Sequence, residues 1–150
     1  MNFYAIVGKY LEGIFKQDPL VNTVMFGTIN ERDIEKYLIF PLVHIIPGDM
    51  TLNENRIELE FEIACVDLRD IRPDSNTDKF WNDNLIDSLN QSAAILVKGL
   101  NIIRKKRNAN DIILVSSTSA TPVIFEEKNI VDGFSIHLTL SIQNTVKACQ

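Results

Sequence analysis

The stretch Arg56-Ile57-Glu58-Leu59-Glu60-Phe61-Glu62-Ile63-Ala64-Cys65-Val66-Asp67-Leu68 decides the fold. Ile57, Leu59, Phe61, Ile63 and Cys65 alternate with Glu58, Glu60, Glu62, Ala64 and Val66, the period of two that places one set on each face of a strand. It predicts a long, half-buried strand with an acidic outer face. A second stretch has the same period: Phe134, Ile136, Leu138, Leu140 and Ile142 alternate with Ser135, His137, Thr139, Ser141 and Gln143. Two strands of this length, each with one apolar face, require a layer to cover that face.

Two segments with helical spacing supply the layer. Phe3, Ile6, Val7, Tyr10, Leu11, Ile14 and Phe15 recur at three- and four-residue steps, with Asn2 as cap and Asp18-Pro19 as stop. Leu85, Leu89, Ala93, Leu96, Leu100 and Ile103 mark a long helix over about 80–107, opened by a capping box at Ser75 and Asp78. Shorter strands are predicted at 21–26, 112–116 and 121–126, with connections at 108–110 and 129–133. Between 33 and 46, Pro41 and the following Pro47 suggest an edge or bulged strand. Residues 49–55 read as a hairpin connection and 70–78 as a long loop. Strands occur in runs on either side of the long helix rather than alternating with helices. The expected fold is α+β: a mixed, mainly antiparallel sheet with an N-terminal helix and one long helix packed on one face.

The 150 residues, 45% hydrophobic and 23% charged, fit one ordinary globular domain spanning 1–150, with no repeat or linker. A net charge of -5 disfavours a broad cationic face for holding nucleic acid. The opening residues reach Lys9 before a signal-length apolar run forms, and no stretch approaches the ~20 apolar residues of a membrane span. Cys65 and Cys149 form no metal or redox motif, so reduced thiols in a cytosolic setting are expected.

Residues capable of chemistry are few. His44, Cys65 and Asp67 are the one set from which a thiol nucleophile with base and orienting acid is conceivable. The competing reading makes Cys65 a small buried hydrophobe, His44 a structurally hydrogen-bonded ring and Asp67 a turn cap. Glu58, Glu60 and Glu62 lie about 7 Å apart along one strand face, a spacing open to a hard cation but commoner on a solvated or partner-facing surface. The glycines are scattered and form no phosphate loop, so no catalytic, metal or cofactor residue is assigned. Arg104, Lys105, Lys106 and Arg107 suit either the negative end of a helix dipole or contact with DNA or an acidic partner.

Phe40-Pro41-Leu42-Val43-His44-Ile45, Ala64-Cys65-Val66-Asp67-Leu68 and Gly133-Phe134-Ser135-Ile136-His137-Leu138-Thr139-Leu140, with Asp83-Asn84-Leu85 between the last two, together resemble a family of tailed-bacteriophage structural proteins. The resemblance is to tail-completion (tail-terminator) and neck-ring subunits, and spans about Phe3 to Cys149. The family pattern has tryptophan after the glycine, where this chain has Phe134. The resemblance implies two helices against a mixed sheet and no catalytic residues. It also implies a homo-oligomeric ring of six- or twelve-fold symmetry, next to portal, neck or tail proteins, through which DNA passes. Such a subunit is assembled in the host cytoplasm and resides in the virion, without membrane contact. Asp49, Glu58, Glu60, Glu62, Asp70, Arg72 and Asp74 are the expected interface residues. The alternative is an intracellular adaptor that binds a peptide by strand addition at the Pro41 edge.

Overall fold

The computed structural model describes residues 3–27, 39–68, 85–105, 111–126 and 131–144. In chain order the elements are α1 (Phe3–Lys16), β1 (Thr23–Phe26), β2 (Leu42–Leu52), β3 (Arg56–Leu68), α2 (Leu85–Lys105), β4 (Ile113–Ser117), β5 (Thr121–Glu126) and β6 (Val131–Gln143). Among the described residues they form an α+β fold with one six-stranded sheet. The strand order is β1-β2-β3-β6-β4, and β5 also pairs with β6. Only β1 and β2 run parallel. The N-terminal helix and the two alternating strands match the sequence expectation.

The sheet is built on β3 and β6, paired antiparallel from Arg56 opposite Gln143 to Leu68 opposite Val131. Opposed residues share a face, so Ile57, Leu59, Phe61, Ile63 and Cys65 meet Ile142, Leu140, Leu138, Ile136 and Phe134 in one apolar surface. α1 covers it with Val7, Leu11, Ile14 and Phe15, and α2 with Ile95, Leu96 and Ile103, all within the main core. Each large side chain buried there contributes roughly 1.5–3 kcal/mol of transfer free energy.

Several expectations need correction. β2 does not end before Asp49: it continues to Leu52, with a bulge between Pro47 and Met50, so Gly48 and Asp49 belong to an irregular strand. The hairpin turn is confined to 53–55, where the Asn53 N–H donates to the Arg56 carbonyl at 3.2 Å. The Pro41 segment is not an edge. Leu42, Val43, His44 and Ile45 are paired with β1 on one side and β3 on the other. β6 starts at Val131, inside the expected connection, because Val131 and Asp132 are buried and paired with β3. The caps at Asn2, Ser75 and Asp78 lie outside the described residues.

Two glycines are required by close approach. A Cβ on Gly133 would strike the Cys65 carbonyl and lie 2.9 Å from Val66 Cα, both backbone atoms of the neighbouring strand. A Cβ on Gly99 would lie 2.5 Å from the Phe15 ring, which sits against α2 at that point. The Gly133 clash cannot be relieved by a rotamer change. Gly133→Ala is therefore expected to cost on the order of 3 kcal/mol, the upper range for overpacking, and to lower Tm by roughly 10 °C in calorimetry. Gly99→Ala is expected to cost less, because the Phe15 ring has room to shift.

Candidate functional site

The sheet separates His44 from the other two residues of the possible thiol site. Cys65 lies opposite Val43, and His44 lies opposite Ala64. Adjacent strand residues point to opposite faces, so the Cys65 thiol faces the helices and the His44 ring faces away from them. No hydrogen bond can join them. His44 is fully buried, and its Nε2 lies 3.0 Å from the Gly27 carbonyl, which requires Nε2 to carry the proton and donate it.

Cys65 has the opposite electrostatics to an activated nucleophile. Burial pushes its thiol up to about 12; a hydrogen bond with Ser92 of α2 opposes this, and the nearby carboxylates of Asp67 and Asp18 raise it further. Asp67 follows on the same face, but its charge disfavours a thiolate. Its own carboxyl is raised by burial, partly offset by the Leu68 N–H, which donates to Oδ1 at 2.8 Å. Among the described residues no cluster of His, Cys, Asp and Glu is arranged to hold a metal ion.

The acidic row behaves differently. Glu58, Glu60 and Glu62 project from the sheet face opposite the helices, opposed on β6 by Ser141, Thr139 and His137. Glu60 is exposed, and Glu62 is fixed by Ser135 Oγ, which donates to Oε1 at 2.7 Å. The row borders a concavity of about 450 Å³ whose other walls include Pro47, Gly48, Thr118 and His137. The same sheet face is apolar further along β3, where Leu42, Val66, Val123 and Val131 form a second, smaller core with Met25 and Phe40. The acidic outer face therefore covers one half of the sheet.

Arg104 and Lys105 are exposed at the end of α2 and line a groove of about 780 Å³ with Ile103, Ile112 and the length of β4. A helix C-terminus favours such cations by ~0.3–1 kcal/mol each. Arg56 braces the groove's far wall. Its Nε donates to Ser141 Oγ at 2.6 Å, and its Nη2 to the Asp111 carbonyl at 2.8 Å. Asp111 stands at φ 50°, turning the chain into β4. Lys106, Arg107, Asp70, Arg72 and Asp74 lie outside the described residues. Asp49 is exposed on the bulge of β2.

One feature has no local signal in the sequence. Tyr4, Ala5 and Gly8 of α1 and Val24 and Phe26 of β1 line a mainly apolar groove of about 300 Å³. Gly8 has nothing within 4 Å of its would-be Cβ. No family model and no curated protein sequence matches the chain.

The thiol geometry fixes a pH response. Because the folded thiol titrates well above a free one, only the unfolded chain ionises Cys65 between about pH 9 and 12. Its contribution to stability is complete below pH 9 and lost as the pH rises toward 12. The urea midpoint of the wild type is expected to fall more steeply above pH 9 than that of Cys65→Ala. In the native state Cys65 is expected to resist iodoacetamide until denaturant is added, as read by peptide mass spectrometry.

Proposed function

We propose that this chain is the subunit of a connector, neck or tail-completion ring lying between portal and tail of a tailed-phage particle, through which DNA passes. The observation that carries the reading is the one-sidedness of the sheet. Both helices pack on one face, while half of the other presents Glu58, Glu60 and Glu62 among hydroxyl side chains. An acidic wall repels phosphate and leaves DNA free to slide, whereas a cationic one would release counterions and hold it. The carboxylates act within about 8–10 Å at ordinary ionic strength, a distance set by screening. The ring is six- or twelve-fold and meets portal, neck or tail proteins on its two flat sides. It is assembled in the host cytoplasm and retained in the virion. The Arg104 to Arg107 cluster then serves an acidic neighbour rather than the channel.

A second reading, an intracellular adaptor, is favoured by the apolar groove beside β1, a strand with one unpaired edge among the described residues. An extended peptide added there would place alternate side chains in the groove. This moves the strand-addition site from the Pro41 segment to β1.

Copy number separates the two. Quantitative mass spectrometry of purified particles is expected to find about six or twelve copies per particle, the stoichiometry of a closed cyclic ring. Complete absence from particles would overturn the ring and bring the adaptor forward.

A further inference from the structure

The registers divide the sheet into two halves with different edges. In one half, β1 covers β2 at Leu42, Val43, His44 and Ile45, and β5 covers β6 from Val131 to Ser135. In the other, no described strand covers β2 beyond Ile45 or the outer side of β4. These two edges, bare among the described residues, lie in the same rows. Thr51 pairs with Glu58, Glu58 with Ser141 and Ser141 with Ile113; Met50, Leu59, Leu140 and Leu114 form the next row.

Both bare edges expose apolar side chains: Leu52 is 72% exposed on one, and Ile113 and Val115 are 47% and 50% exposed on the other. Long unpaired edges of this kind aggregate unless something covers them. Their charges are complementary. The β2 arm carries Glu54 at its tip, while the groove along β4 is walled by Arg104 and Lys105, its one carboxylate among the described residues, Asp111, being already paired with Arg56. The arm is also braced: the Asn144 N–H donates to the Asn55 carbonyl at 2.8 Å, and Asn144 Nδ2 to the Asn53 carbonyl at 3.2 Å.

We infer that the occupant of the β4 edge is the β2 arm of a second copy of this chain, joined antiparallel so that the sheet runs on from subunit to subunit. The inference rests on the ring reading and names its interface. Strand direction supports it. β2 and β3, β3 and β6, and β6 and β4 are all antiparallel, so repeating the subunit sideways with its orientation kept brings β2 of the next copy antiparallel to β4. The contact joins two unlike patches, which is what closes a ring rather than a two-fold dimer. Pro47 has no N–H to donate, so pairing is confined to residues 49–52 opposite β4. Met50 and Leu52 then lie on the helix-packed face beside Ile103 and Ile112, and Glu54, at the tip of the arm, comes to the end of β4 where Arg104 and Lys105 stand.

The test uses the full chain in a Cys149→Ser background, with Thr51→Cys on one sample and Ile113→Cys on another. Mixed under mild oxidation, they are expected to yield a disulfide-linked pair on a non-reducing gel that neither forms alone. The double variant is expected to yield a ladder ending at the ring size. Separately, Glu54→Lys, or Arg104→Glu with Lys105→Glu, should raise the concentration for half-assembly on the order of tenfold, and combining them should restore it. Circular dichroism checks that each variant is folded. A ring that forms without the cross-link, and with unchanged assembly of the charge variants, overturns this interface and leaves the ring standing. A wild-type chain that stays monomeric in solution and is missing from particles overturns both.

Discussion

The antiparallel ladder between β3 and β6 sets the position of every other element, and its register is the constraint on which the structure depends. Because side chains alternate with a period of two, a slip of one residue would put Glu58, Glu60 and Glu62 beneath the helices and Ile57, Leu59 and Phe61 in water. Devices at both ends oppose that slip. At one end Arg56 reaches across to Ser141 and on to Asp111. At the other, Gly133 allows β6 to approach the Cys65 carbonyl so closely that no other residue fits. The apolar face so defined seats α1 and α2, and the polar face remains for other work.

The two central strands were legible in the sequence because their alternation is long and nearly unbroken, and α1 because its stripe is continuous. The long helix is legible too, although only Leu96 and Ile103 of its expected apolar stripe are fully buried. Its apolar residues Leu85, Leu89, Ala93 and Leu100 are only half-buried, while Ser88, Ser92 and Gly99 turn fully inward. Small residues are needed there because Phe15 lies on Gly99 and Cys65 meets Ser92. Hydrophobicity alone gives no weight to such positions. The extended β2 arm was missed for a similar reason: Gly48 and Asp49 are turn formers by type, and only pairing with β3 shows that they form a bulge.

The candidate surfaces divide along the same line. The acidic row was legible because it is a property of one strand, and the structure keeps it on one face. The preferred reading of Cys65 as a buried hydrophobe and of His44 as a structurally hydrogen-bonded ring holds, because the register puts Val43 rather than His44 opposite the thiol. The groove joining Arg104 and Lys105 to β4 was beyond reach, because it depends on how α2 ends against a strand that follows it in the chain. The bare edges in shared rows likewise emerge only when three registers are read together. Edge availability, opposite charge and strand direction are the grounds on which self-association is proposed.

Cryo-electron microscopy of the particle neck, at a resolution that traces individual strands, tests the central claim most directly. The account predicts a closed ring of this chain in which the sheet continues between subunits and the Glu58, Glu60 and Glu62 face lines the channel. A neck without this chain, or a ring whose subunits touch only through their helices, would contradict it.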